Sequence, residues 1–164
     1  SRDDLAKIFG EKSLTDKDIN VGEGTMEPGT VINLPNDQGL TVIWTDKTRS
    51  KPQLVQDLGA AWKTSEGLGK GSSMAELKEK LGDFQLYGFG WDYGGSIVLE
   101  STKLDKYYGN LFFRVQPPKD KIDQHPDAYK ALQGDKLFQS TDPNMEPLEP
   151  VVTDTMVYLN PLSE

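Results

Sequence analysis

The sequence predicts an α+β fold: two short helix-plus-antiparallel-sheet repeats sharing one core, followed by a C-terminal extension. Three observations carry that prediction. Helix punctuation occurs twice, around residues 4–10 and 73–82, each time ahead of strand-like segments. Runs of β-branched and aromatic residues alternate with turn clusters. The 16 glycines and 10 prolines are spread along all 164 residues, which marks a turn-rich folded chain rather than a low-complexity tail. A chain of this length buries roughly 70% of the surface it exposes when unfolded, enough for a core without disulfides.

Taken in order, Asp3-Asp4 precede Leu5-Ala6-Lys7-Ile8-Phe9, and Gly10 closes the segment. Acidic residues suit the positive end of a helix, and glycine suits its C-terminal cap. The same grammar returns in Ser73–Leu81 with Gly82 behind it, and there Ser73 and Glu76 have capping-box spacing. Laid over each other, Asp4-Leu5 falls on Glu76-Leu77 and Phe9-Gly10 on Leu81-Gly82. This reads as a duplicated unit in a single domain, with pseudo-repeats 1–64 and 73–116 joined by a glycine-rich connector at 65–72.

In the first half, Thr30–Leu34 and Leu40–Trp44 flank the turn cluster Pro35–Gly39 and read as a β-hairpin. A polar turn at Thr45–Pro52 leads to Gln53–Asp57 and Ala60–Thr64. In the second half, Phe84–Tyr93, Ser96–Glu100 and Leu111–Val115 are the strand candidates, with a turn at Gly94-Gly95. Pro126–Gln133 has proline in a first-turn position and Gly134 behind it, so it reads as a third helix. Residues 139–150 are a Pro- and Asp-rich loop, and Val151–Leu159 is a last strand, with helix as the other reading.

Composition removes several chemistries. Eighteen Lys and Arg against 26 Asp and Glu leave a net charge of −8, which repels nucleic-acid phosphates and anionic membranes. Cysteine is absent and His125 is the one histidine, so thiol catalysis and His- or Cys-rich metal sites are excluded. No G-x-S-x-G elbow accompanies His125, and no run of ~18 apolar residues offers a transmembrane helix. Gly67–Ser73 departs from the phosphate-loop pattern. Asp16-x-Asp18-x-Asn20, with Glu27 in twelfth place, imitates a calcium loop, but Val21 stands where the turn needs glycine. No cofactor is nominated, no metal site and no catalytic residue. The start at Ser1, without methionine, reads as a processed or trimmed end.

The densest feature is the string Phe84-Gln85-Leu86-Tyr87-Gly88-Phe89-Gly90-Trp91-Asp92-Tyr93-Gly94-Gly95. As one strand it would put Tyr87, Phe89, Trp91 and Tyr93 on one face and the glycines on the other. An aromatic row beside the carboxylate of Asp92 could stack a sugar or planar ligand; the competing reading is the core face of a central strand. The candidate contact residues are Trp44, Asp46, Trp62, Tyr87, Trp91, Asp92 and Tyr93.

Two resemblances rest on these residues. Trp62-Lys63-Thr64, Gly67-Leu68, Gly71-Ser72 and the Phe84–Gly95 string resemble a group of bacterial exported proteins to which no activity is assigned. Glu23-Gly24, Gly29-Thr30, Ile43-Trp44 and Asp46 extend that likeness. The resemblance implies a signal peptide ahead of Ser1 and a periplasmic, surface or secreted location, and it brings no catalytic residues. More distantly, Gly71, Ser73, Glu76, Leu77, Leu81 and Gly82, with Leu5, Phe9 and Gly10, resemble the tandem modules of β-lactamase-inhibitory protein and of small outer-membrane lipoproteins. That likeness implies protein binding without chemistry. The expectation is a non-catalytic binding or interaction module of the cell envelope, with another envelope protein or a glycan as partner. The alternative is a carbohydrate-active or other carboxylate-dependent hydrolase.

Overall fold

The computed structural model describes residues 1–159. Helices and antiparallel sheets make an α+β fold, organised as two compact units. One comprises Ser1–Trp62 with the returning end of the chain from Met156; the other is Lys63–Thr155.

The first unit opens with α1 (Arg2–Phe9), where Asp4 N donates to the Ser1 hydroxyl oxygen and Gly10 caps the far end. Four strands follow as an antiparallel meander: β1 (Leu14–Asn20), β2 (Met26–Ile32), β3 (Leu40–Trp44) and β4 (Pro52–Gln56). The expected hairpin is present as β2 and β3, in register Ile32↔Leu40, with the connection over residues 33–39. Strand period puts Leu14, Ile32, Val42 and Trp44 on one face, and Leu5, Ala6 and Phe9 of α1 pack against it. Apolar spacing on the helix and alternation on the strands thus meet in one small core. Of the segment that imitates a calcium loop, Asp16, Asp18 and Asn20 lie on edge strand β1, while Glu27 lies on β2 opposite Ile19. The charged residues of β1 are common edge protection against further strand pairing. Ala60–Thr64 holds turn structure rather than a strand.

In the second unit, α2 (Met74–Leu81) carries the expected capping box: Ser73 N donates to Glu76 Oε2 at 2.8 Å, and Glu76 N to Ser73 Oγ at 3.1 Å. A small sheet follows in the order β6-β5-β8, from β5 (Gln85–Tyr87), β6 (Ile97–Val98) and β8 (Leu137–Gln139). β7 (Leu111–Gln116) alternates strictly, with Leu111, Phe113 and Val115 buried. Helices α3 (Lys119–Gln124), α4 (Pro126–Ala131) and α5 (Met145–Leu148) precede β9 (Val151–Tyr158). The start of β9 neighbours β7, while its end returns to the first unit with Leu54↔Tyr158 and Val55↔Val157.

The two capped helices share a grammar, but the sheets behind them differ: a four-strand meander in one unit, a three-strand sheet closed by a distant strand in the other. Residues beyond 116 are built into the second unit, since β8 pairs with β5 and Phe89 N donates to Leu132 O. The 65–72 segment is folded rather than a free connector. Leu68 and Ser72 are buried, Gly69 N donates to Ser72 Oγ, and Gly71 N donates to Val152 O at 2.8 Å.

Candidate functional site

The aromatic string does not form one strand. β5 ends at Tyr87 because the chain turns into close contact at Gly88, where a Cβ would stand 2.5 Å from Gly134 O and 2.7 Å from Leu132 O. The single-strand row of Tyr87, Phe89, Trp91 and Tyr93 is therefore replaced by a split. Phe89 is fully buried and stacks on Tyr129 with centroids 6.0 Å apart. Within β5 it is Leu86 that faces the core, at 0% exposure, so Tyr87 lies on the outer face. Asp92–Gly95 is turn.

Tyr87, Trp91 and Tyr93 gather as a triad. The Tyr87 and Trp91 rings lie 6.0 Å apart at 78°, and the Trp91 and Tyr93 rings 5.6 Å apart, also at 78°. Tyr93 is 42% exposed, Tyr87 and Trp91 are half-buried, and Asp92 is exposed. The indole N–H of Trp91 donates to Gly88 O at 2.8 Å and fixes the ring. The turn itself is clamped by β7. Arg114 Nε and Nη2 and Gln116 Nε2 all donate to Gly94 O, at 3.2, 3.1 and 2.9 Å. Arg114 and Gln116 share a face by strand period, opposite buried Phe113 and Val115. Gly95 has φ +79°, and a Cβ there would meet Val115 O at 1.9 Å, so the ladder tolerates no side chain at that point.

Sequence reasoning missed Arg114 and Gln116 as supports of the loop. The signal was available: polar residues alternating with Leu111, Phe113 and Val115 mark an outer strand face that must meet polar partners.

The remaining candidates belong to the first unit. Trp44 is core, 1% exposed, so its ring offers no contact surface. Its indole N–H donates to Thr30 Oγ1 at 2.9 Å, and that hydroxyl donates to Asp16 Oδ1 at 2.6 Å. Arg2 and Arg49 pair with Asp16, and Arg2 Nη2 reaches Glu11 Oε1 at 2.7 Å. Asp46 accepts from Thr48 N and Thr48 Oγ1; these bonds hold its carboxyl low, and they commit it to its own turn. Trp62 is 41% exposed, with its indole N–H donated to Gln38 O at 2.8 Å. Of the seven candidates, only the triad and Asp92 are brought together in one loop.

Two grooves touch none of the candidates. One of about 810 Å³ crosses the first unit's sheet by Lys17, Ile19, Val31, Thr41 and Gln56; one of about 750 Å³ lies in the second unit by Met74, Lys78, Met145 and Glu149. No group of three or more acidic or histidine side chains arranged to hold a metal occurs among the described residues. The carboxyls of Glu11, Asp16, Asp46 and Glu66 all sit below their ordinary range, the direction that keeps a carboxylate charged and opposite to what a general acid needs. No helix among the described residues is long and apolar enough to cross a membrane. Comparison with known protein families, curated proteins and solved structures yields no match to this chain.

Proposed function

We propose that this chain is a non-catalytic binding domain of the bacterial cell envelope, acting outside the cytoplasm, whose contact surface is the Tyr87–Trp91–Tyr93 loop with Asp92. One observation carries the reading. The Gly94 carbonyl takes three hydrogen bonds from β7, which holds an aromatic loop rigid at the surface. Rigid aromatic side chains give large contact area at small entropic cost, the property of binding anchors. A core element would bury those rings, yet Tyr93 remains 42% exposed. The partner is an envelope protein or a glycan, and the export follows from the resemblance of the same string.

The three indole N–H groups give a direct test. Envelope fractions and cell-wall glycan fragments titrated into the ¹⁵N-labelled chain should move the Trp91 indole resonance saturably and leave that of buried Trp44 in place. Tyr93→Ala should weaken the effect about tenfold, as loss of an anchor of about 1.4 kcal/mol does, with unchanged circular dichroism. A Trp91 resonance indifferent to every fraction, or a Tyr93→Ala variant as responsive as the parent, overturns the assignment.

A further inference from the structure

Building on that binding role, we infer that the group recognised at the triad is a quaternary ammonium, the trimethylated nitrogen of choline or of a choline headgroup. Ring geometry favours it over a flat ligand. A sugar or a base stacks on one flat platform, whereas Tyr87 and Tyr93 each stand at 78° to Trp91, so the three rings do not form one. Rings meeting edge to face leave right-angled corners walled by more than one π face. A compact, nearly spherical cation touches several such faces at once, and ring faces carry the negative end of the quadrupole, most strongly in tryptophan.

Hydrogen-bonding capacity points the same way. Several carbonyls of the loop are engaged: Tyr87 O by Gly95 N, Gly88 O by the Trp91 indole, and Trp91 O by Gly94 N. Tyr93 O is taken by Ser96, and Gly94 O by Arg114 and Gln116. Those five carbonyls already carry a donor before any polyhydroxyl ligand arrives. A quaternary ammonium has no N–H to satisfy and loses little hydration on entering.

Charge agrees with geometry. Asp92, between Trp91 and Tyr93 in sequence, is exposed and supplies a carboxylate beside the rings, and the whole chain is acidic. The unit already places ammonium groups over other rings, Lys106 Nζ at 4.8 Å from the Tyr107 centroid and Lys136 Nζ at 5.0 Å from that of Phe138. Among the described residues, no cation of the chain occupies the triad's faces.

The test uses choline and its neutral isostere 3,3-dimethylbutan-1-ol, in which carbon replaces the charged nitrogen. Choline should move the Trp91 indole resonance saturably, and the isostere should bind about tenfold more weakly. Tyr93→Ala and Asp92→Asn, both at exposed positions, should each weaken choline by about threefold to tenfold without altering the fold. Flotation with phosphatidylcholine vesicles separates the sources: retention marks a membrane-borne headgroup, and choline binding without retention marks a free solute; each supports the inference. Equal binding of choline and isostere overturns it, as does a Trp91 signal unmoved by both choline and vesicles. If those fail while envelope fractions still move Trp91, the ligand class falls and the contact surface stands. If nothing moves Trp91, both fall.

Discussion

Trp44 and Trp91 lie in two differently built units, one at the end of β3 and the other in the bend after β5, and each donates its indole N–H to an oxygen nearby in the fold. The oxygen differs, and so does everything after it. Trp44 donates to the Thr30 hydroxyl, which donates onward to Asp16 between Arg2 and Arg49. That ring lies beneath α1 at 1% exposure, and its polar chain runs outward to charge. Trp91 donates to the backbone carbonyl of Gly88, and its loop is held from behind by Arg114 and Gln116. One tryptophan is fixed so that it can be covered. The other is fixed in a bend and stays half-buried. An indole in an aromatic, β-rich stretch is therefore not assigned to core or surface by its neighbours in sequence, but by whether a helix face from elsewhere in the chain covers it.

The largest effect that would break this comparison is on stability. Trp44→Ala should cost about 3–5 kcal/mol, the range for removing a large buried aromatic side chain, read as a drop in urea midpoint. Trp91→Ala should cost about 1–2 kcal/mol, since a half-buried ring and one hydrogen bond are lost. Equal costs would show that Trp91 is core in function as well as in its sequence context. Of comparable size, Gly95→Ala should cost about 2–6 kcal/mol, because a strained left-handed residue and an overpacked backbone contact contribute about 1–3 each. The Trp91 indole resonance should shift or broaden in that variant while that of Trp44 stays. A Gly95→Ala protein with an unmoved Trp91 signal would mean that the clamp does not position the ring.

What could be read in the sequence follows the range of the interactions involved. The α2 capping box, the β2–β3 hairpin and the Pro126 helix start rest on neighbours within a few residues, and the structure has each of them. β1 was hidden because Thr15, Asp16, Lys17 and Asp18 leave no apolar alternation; an edge strand with one neighbour needs little. β8, α3 and α5 are three to six residues long, too short for an apolar period to show, and β8 exists by pairing with β5 far earlier in the chain. The aromatic row misled for the same reason. Period two holds only while the backbone stays extended, and what ends β5 is the approach of Leu132 and Gly134, some forty-five residues on (132 − 88 = 44, 134 − 88 = 46). Tyr87, Trp91, Asp92 and Tyr93 were in view as candidates, and their geometry was not.

The smallest expected effect separates the two tryptophans by what lies behind their N–H groups. Partial burial works to raise the Asp16 pKa, but the Thr30 hydroxyl and the guanidinium groups of Arg2 and Arg49 outweigh it, so the carboxyl titrates below its ordinary range. A carboxyl lowered by folding stabilises the native state above the unfolded value near 3.9 and withdraws that stability as pH falls through the folded value. The urea midpoint should thus hold from neutral pH to about pH 5 and fall below about pH 4, and Asp16→Asn should flatten part of that fall while lowering the neutral plateau. In the same acid range the Trp44 indole resonance should titrate, because its acceptor is the hydroxyl that donates to Asp16, and Asp16→Asn should abolish that titration. Trp91 rests on a peptide carbonyl that takes up no proton in this range, so its response to acid should be the same with and without Asp16. A Trp44 signal that still titrates in Asp16→Asn would detach the buried indole from the charged chain and remove the difference drawn between the two.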